Sequence, residues 1–170
     1  YLRGWRGINI DAAPAQYEAL ARARLADVNL HLAIGDSDCE IPFYVCELNE
    51  LSTLDPDVAE GLRRAGHAVT ETVIPMRTLA QICREHCGAR QIDFMKIDAE
   101  GSERRILAGA DFDQFRPRVL VVEAVAPNTI RSSHDAWEHV LLAKNYLFAW
   151  FDGLNRFYVR EEDRALLRHF

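Results

Sequence analysis

The chain has 170 residues, 49% of them hydrophobic and 27% charged, which is typical of one globular domain and excludes disordered, fibrous and coiled-coil chains. With 20 basic and 26 acidic residues its net charge is −6, which argues against a nucleic-acid partner. Apolar runs are far shorter than the ~20 residues that span a bilayer, and the first residues resemble neither a signal nor a transit peptide, so we expect a cytoplasmic protein without a membrane partner.

Predicted strands and helices alternate along the whole chain. Strands are predicted at residues 5–11, 28–34, 41–46, 70–76, 92–97 and 118–122, with two more in the tail 146–160. Helices are predicted at residues 14–27, 55–66, 78–87, 102–110 and 134–144, with a short one at the end. We therefore expect a single α/β domain over residues 1–170, with a parallel sheet covered by helices on both faces.

Local signals refine this prediction. Pro42 favours an edge strand, because proline cannot donate to a β-ladder. The strands at 92–97 and 118–122 are almost continuously apolar, which is typical of buried parallel strands. In the tail, Asp152 and Gly153 predict a hairpin turn. A parallel series followed by an antiparallel C-terminal hairpin is the pattern of the class I methyltransferase (Rossmann-like) fold.

Acidic residues follow four of the predicted strands: Asp11, Asp36, Asp98 and Glu123. Ligands of open α/β sheets bind beyond the carboxyl ends of strands, so these side chains are expected to line one crevice. Each alone is also explained by capping of the next helix. As cofactor-binding residues, Asp11 would accept hydrogen bonds from two ribose hydroxyls. The turn of Ile34, Gly35 and Asp36 would face the adenine ring, and Asp98 would bind the cofactor where the transferred group meets the acceptor.

The central pair, Asp98 and Glu123, carries the predicted chemistry. Two converging carboxylates act as general bases or as oxygen ligands of a divalent metal, and the sequence leaves both open. Glu100 would support them as a further acid, or else begin the next helix near the positive end of its dipole. Lys96 would place its charge on the acceptor substrate, or else beside the strand-end carboxylates.

Three further residues are candidates for handling the acceptor. His134 follows Glu123 in the region where an acceptor-binding loop is expected, and is either a catalytic base or a solvated helix-start residue. Ser52 would lie over the crevice in an irregular lid. Arg156, beside the hairpin turn, would bind an anionic acceptor or else pair with Asp152.

Several segments resemble the FkbM-type S-adenosylmethionine-dependent methyltransferases. The central one is IDFMKIDAEGSE at 92–103, followed by Ile106, Leu107 and Gly109. The others are GWRGINI at 4–10, LSTL at 51–54, RTL at 77–79, Arg116-Pro117 before VVE at 121–123, and DGLNRFY at 152–158. They occur over nearly the whole chain and in the order of that family.

The resemblance implies a methyltransferase that uses S-adenosylmethionine to methylate a hydroxyl of a sugar, glycan or natural product. The first strand and glycine-rich loop of that family would precede Trp5, so we expect the chain to be a fragment of a longer protein. Two alternatives stay open: a degenerate methyltransferase-like binding module, and a nicotinamide-dependent Rossmann oxidoreductase, although the sequence contains no GxGxxG motif. The acceptor and the oligomeric state are not indicated.

Overall fold

The structure, a computed structural model, describes residues 4–126, 129 and 131–170, with the backbone alone at Glu50. The chain divides into two compact units, one ending at Arg77 and the other beginning at Thr78. Each unit contains its own strands and helices.

Strands and helices alternate in the first unit. In chain order its elements are β1 (Ile8–Asp11), α1 (Pro14–Ala23), β2 (Val28–His31), β3 (Ala33–Gly35), β4 (Cys39–Cys46), a 3₁₀ turn (Asn49–Leu51), α2 (Pro56–Arg64) and β5 (Val69–Thr78). β1 and β2 pair in parallel. The other three strands form a second sheet in the order β3-β5-β4, in which β4 and β5 are antiparallel.

The predicted strand at 28–34 is two strands in different sheets. β2 ends at His31, whose ring stacks on Tyr17 of α1 and whose Nε2 lies 3.1 Å from the Ala12 carbonyl oxygen. These contacts hold the end of β2 against α1, and the chain bends at Leu32 before β3 joins the second sheet. The edge position predicted from Pro42 is confirmed, since β4 is the outer strand of its sheet.

The core of the first unit lies on the second sheet. Phe43, Ile74 and Met76 are buried there with Ala13 and Ala33. A close approach occurs at Gly35, where a Cβ atom would lie 2.3 Å from the Met76 sulfur. Because Met76 is 1% exposed, a side chain at position 35 would force the buried Met76 side chain to move.

Parallel and antiparallel pairing are combined in the second unit. Its elements are α3 (Leu79–His86), β6 (Phe94–Ile97), α4 (Glu103–Ala108), β7 (Val119–Glu123), a 3₁₀ turn (His134–Ala136), α5 (Glu138–Ala143), β8 (Tyr146–Phe151), β9 (Asn155–Arg160) and a 3₁₀ segment (Glu161–His169). The sheet order is β6-β7-β9-β8. Only β6 and β7 pair in parallel, and β9 lies antiparallel between β7 and β8.

Two predictions for this unit are wrong in detail. The helix predicted at 134–144 is interrupted at Trp137, whose φ of −139° is not helical. β7 is buried as expected, but Phe94 in β6 is 48% exposed and the side chain of Lys96 is 47% exposed. β6 has only β7 as a neighbour among the described strands, so it lacks the cover of a central strand.

The predicted C-terminal hairpin is confirmed. Oδ1 of Asp152 accepts hydrogen bonds from the backbone N–H groups of Leu154, at 2.8 Å, and Asn155, at 2.6 Å. Gly153 has a φ of +102°, which a side chain would strain. The turn residues therefore dictate where β8 reverses into β9.

Over the described residues the structure is mixed α/β with three sheets, consistent with a methyltransferase-like fold. Within the described residues, no helix has both the length and the apolar character needed to cross a membrane.

Candidate functional site

Three acidic side chains meet where β6 and β7 end. One carboxylate oxygen from each of Asp98, Glu100 and Glu123 lies within 4.8 Å of the other two. Asp98 follows β6 directly and Glu123 ends β7. Because Ile97 pairs with Val122 in parallel register, the next residues of the two strands lie side by side on one face of the sheet.

Glu123 is the buried member of this cluster, at 8% exposure. Burial, followed by repulsion from Asp98, Glu100 and Glu103, raises the pKa of Glu123 to about 8. Its Oε2 atom is buried and finds no hydrogen-bond partner in the described part of the chain. The pKa of Glu100 is also raised, by burial and by its acidic neighbours. The cluster therefore favours a proton, a cation or a hydrogen-bond donor at its centre.

Lys96 supplies a positive charge at the edge of the cluster. Its Nζ lies 2.7 Å from Oδ2 of Asp98, and both side chains are partly exposed. The ammonium thus lies beside a strand-end carboxylate, which is one of the two positions predicted for it. It offsets part of the negative charge of the cluster.

The loop between β6 and α4 is held by a residue to which the sequence reasoning assigned no role. Glu103 is 3% exposed, and its Oε1 accepts hydrogen bonds from the backbone N–H groups of Ala99, at 3.0 Å, and Gly101, at 3.3 Å. Glu100 and Gly101 both have positive φ, +49° and +96°. Glu103, and not Glu100, occupies the first turn of α4. The sequence signal that could have identified Glu103 is its position as an acidic residue two places after the AEG string at 99–101.

Arg156 and His134 belong to a different network. Arg156 donates from Nη2 to Oε1 of Glu138 at 2.8 Å, and its guanidinium lies 4.1 Å from the ring centre of Phe148. It therefore pairs with Glu138 and not with Asp152. Tyr158 also donates to Oε1 of Glu138, at 2.8 Å.

His134 has contacts on both ring nitrogens. Its Nδ1 is hydrogen-bonded to the Ser132 hydroxyl, and its Nε2 lies 3.8 Å from Oε2 of Glu138. It is 22% exposed, less open than a solvated helix-start residue would be. Part of the expected acceptor loop after Glu123, residues 127, 128 and 130, lies outside the described residues.

The remaining candidates lie in the first unit. Oδ1 of Asp11 accepts a hydrogen bond from the backbone N–H of Ala13 at 2.8 Å, so one oxygen already supports the entry into α1. Burial raises the pKa of Asp11. In the turn after β3, Ile34 is half-buried, Gly35 packs on Met76 and Asp36 is exposed.

Ser52 has an architectural contact. Its hydroxyl accepts a hydrogen bond from the backbone N–H of Cys46 at 3.1 Å, which joins the segment after the 3₁₀ turn to the end of β4. The backbone of the next residue, Thr53, exchanges hydrogen bonds with Tyr44. The predicted lid segment is thus tied to the second sheet of its unit.

The comparisons with known proteins point to one family. Searches of curated proteins and of solved structures found no match. A family model, the methyltransferase FkbM domain, matches residues 1–148, most of the chain and both carboxylate-bearing strand ends. The chain belongs to the FkbM methyltransferase domain family.

Proposed function

We propose that the chain is an S-adenosylmethionine-dependent O-methyltransferase that acts on a hydroxyl of a small molecule or glycan. The observation that carries this proposal is the meeting of Asp98, Glu100 and Glu123 at the ends of two parallel strands in a chain of this family. In open α/β sheets that edge is where ligands bind.

The pairing of the strands supports a class I methyltransferase fold. β1 pairs with β2 and β6 with β7 in parallel, as such a sheet requires. β9 lies antiparallel between β7 and β8, so the C-terminal hairpin belongs to the sheet of the second unit. Helices or turns connect the strands in alternation, as in other α/β folds.

The proposed chemistry needs a group that takes a proton. S-adenosylmethionine, when bound, supplies an electrophilic methyl group. The acceptor hydroxyl is a weak nucleophile. Asp98 and Glu123 would take its proton as the carbon–oxygen bond forms and the methyl carbon–sulfur bond breaks, with the neutral thioether as the leaving group. A base with a pKa near 8 is well matched to neutral or mildly alkaline conditions. Activity should therefore rise with pH until Glu123 has lost its proton.

The second candidate role of the same carboxylates is to bind a divalent cation. Mg²⁺ and Ca²⁺ bind oxygens at about 2.0–2.6 Å, so two oxygens on one cation are separated by at most about 4–5 Å. The 4.8 Å grouping of Asp98, Glu100 and Glu123 fits this limit, and the unpartnered Oε2 of Glu123 is a suitable donor. Such an ion would polarise the acceptor hydroxyl and lower its pKa. Loss of turnover after chelation, restored by Mg²⁺, would identify the metal-dependent form.

The cofactor-binding role of Asp11, Ile34, Gly35 and Asp36 is a separate part of the proposal. It rests on their positions at strand ends of the first unit. An Asp11→Ala variant should bind S-adenosylmethionine more weakly, because a carboxylate that accepts from the ribose is lost. Unchanged affinity would remove Asp11 from the site.

The decisive experiment combines cofactor titration with turnover. Calorimetric titration should show binding of S-adenosylmethionine and none of NAD; binding of NAD alone would favour an oxidoreductase. In a methyl-transfer assay, Asp98→Asn should lower turnover about 10²–10⁴-fold while changing cofactor affinity less. Asp93→Asn is the matched control, since Asp93 precedes β6 and pairs with Arg118 at 3.4 Å. Full activity of Asp98→Asn would contradict the role proposed for it.

A further inference from the structure

β8 lacks the charged residues and prolines that usually protect the edge of a sheet. It is the last strand in the order β6-β7-β9-β8, and no described residue outside β9 hydrogen-bonds to its backbone. The edge strand β4 contains Glu40 and Pro42 and the edge strand β6 contains Lys96, whereas β8 has the sequence YLFAWF. An exposed strand edge without such residues is ready to pair with another strand. β8 is the longest strand of this kind in the described part of the chain.

Aromatic side chains of β8 are exposed on both faces of the sheet. Phe148, Trp150 and Phe151 are between 42% and 49% exposed. Phe148 opposes Tyr158 of β9, and after a register shift Trp150 opposes Phe157. Because Phe157 and Tyr158 are consecutive in β9, they point to opposite faces. The shift is a bulge that bends β8 but leaves its edge uncharged. A strand added to this edge would therefore meet aromatic rings on both faces.

The charges around β8 favour a second copy of the chain as the partner. The net charge is −6, so two copies repel one another wherever acidic surfaces meet. β8 is an uncharged strip, with Lys144 before it and Asp152 after it. Two strands paired antiparallel about a two-fold axis place the start of each beside the end of the other. Lys144 would then lie near the partner's Asp152 at both ends of the interface.

Asp152 has a negative charge that its own chain does not neutralise. It accepts hydrogen bonds from Leu154 and Asn155, and no cation contacts it within the described residues. These bonds lower the pKa of Asp152, so it is ionised at neutral pH. Nζ of Lys144 lies 2.5 Å from Oδ2 of Asp113 on a partly exposed surface, and its three N–H donors allow a second carboxylate. The other acidic residues beside the start of β8 already pair with cations of their own chain: Glu161 with Arg164 and Glu162 with Arg116.

The area of exposed apolar surface sets the expected affinity. Aromatic side chains bury about 150–250 Å² each, so the exposed fractions of Phe148, Trp150 and Phe151 leave about 300 Å² on each chain. Covering this surface on two chains removes about 600 Å², to which the backbone of the two strands adds; stable dimers bury about 1,200–2,000 Å². The contact is therefore suited to a reversible dimer with a Kd of roughly 10–100 µM.

We propose that the chain self-associates through β8, which pairs antiparallel with β8 of a second copy and joins the two sheets into one. Main-chain hydrogen bonds would make the pairing, and the aromatic rings would cover it from both faces. A two-fold interface uses the same surface on both chains, so the assembly closes at two copies. The inference does not depend on the proposed function, because β8 contributes no residue to the carboxylate cluster.

Sedimentation equilibrium of the full chain tests the proposal. Because Cys39 is exposed, the experiment is run with a reductant present. Over about 5–500 µM the chain should show a monomer–dimer equilibrium with no larger species. A monomer at every concentration, or growth beyond the dimer, would overturn the proposal.

A charge on the edge should prevent the pairing. Phe151→Lys is the informative variant, because Phe151 is exposed and makes no ring contact among the described residues. It should weaken dimerisation at least about tenfold. Phe94→Lys is the matched control: it makes the same change at a similarly exposed phenylalanine in β6, the other outer strand of the sheet, and should leave the Kd unchanged. An unchanged Kd in Phe151→Lys, or equal weakening in both variants, would contradict the proposal.

Amide hydrogen exchange of the unmodified chain locates the interface without a substitution. Raising the concentration from about 5 to 500 µM should slow exchange within residues 146–151, since backbone N–H groups of β8 gain partners. Exchange at β4, an edge strand with proline and a charged residue, should not change. Slower exchange elsewhere, with none in β8, would place the dimer contact on another surface and refute the role of this strand.

Discussion

At the scale of single residues, the carboxylate cluster depends on a side chain that does not belong to it. Glu103 accepts hydrogen bonds from two backbone N–H groups of the loop that carries Glu100. The loop contains two successive residues with positive φ, one of them not glycine, a conformation that needs support from its surroundings. Glu103 is thus a positioning residue for the acidic site.

Replacement of Glu103 tests this role. Glu103→Ala would leave the N–H groups of Ala99 and Gly101 without an acceptor, and should lower the free energy of unfolding by about 2–3 kcal/mol. Chemical denaturation measures the loss, and faster amide hydrogen exchange at Ala99 and Gly101 localises it. Glu103→Gln, which keeps an accepting oxygen, is the control and should lose less than about 1 kcal/mol. Equal losses in both variants would show that the charge, and not the acceptor, holds the loop.

At the scale of elements, the packing of β3 on β5 depends on the absence of a side chain at Gly35. Gly35→Ala should lower the free energy of unfolding by about 1–3 kcal/mol, because the new methyl group overlaps the buried Met76 side chain. Met76→Val should reduce that cost in a double-mutant cycle. Gly61→Ala is the control: it lies in α2 with no atom within 4 Å of the added Cβ, and should stabilise by about 0.5–1 kcal/mol. If Gly35→Ala left the free energy of unfolding unchanged, the Met76 side chain would have repacked at no cost.

Elements defined by local signals were predicted well from the sequence. Asp55 caps α2 through its side chain, and Asp152 with Gly153 forms the hairpin turn, because both depend on contacts within three residues. The division of 28–34 into β2 and β3 was not predictable, since strand periodicity does not say which strand is the partner. The interruption of the predicted helix at Trp137 was also missed, because a helical spacing of apolar residues does not exclude a local turn.

For the candidate site, too, the sequence predicted contacts that follow from strand order and missed contacts that depend on packing. The meeting of Asp98 and Glu123 followed from adjacent parallel strand ends, a rule of topology. Glu103 was not identified, because its role depends on which backbone N–H groups of the loop its carboxylate reaches. The pairing of Arg156 with Glu138 required knowledge of how α5 packs on the sheet.

At the scale of the whole molecule, the free energy of unfolding depends on pH through two kinds of acidic group. One kind stabilises the fold at low pH and the other stabilises it at higher pH. The folded chain raises the pKa of Glu123 from 4.5 to about 8, so its proton favours the folded state and that stability is lost as pH rises between these values. Hydrogen bonds from Arg118 lower the pKa of Asp163, and Arg116 does the same for Glu162. Their contribution is present above the ordinary carboxyl values and is lost in acid.

Stability should therefore be greatest at about pH 5 and should fall on both sides. Thermal unfolding across the pH range measures this profile. Glu123→Gln should flatten the alkaline side, and Asp163→Asn should reduce the fall in acid while leaving the alkaline side unchanged. A profile that rises steadily from about pH 5 to 8 would contradict the raised pKa of Glu123.

The strand order of the second unit also constrains how the chain is made. β9 is synthesised after the other described strands, yet it separates β7 from β8, so among these strands β8 has no sheet neighbour until residues 155–160 leave the ribosome. The short turn lets β8 and β9 zip together within microseconds, and the finished ribbon then docks on β7. Nascent chains that stall before residue 155 would expose the unpaired edge of β7, a surface prone to pair with other chains until β9 has been made.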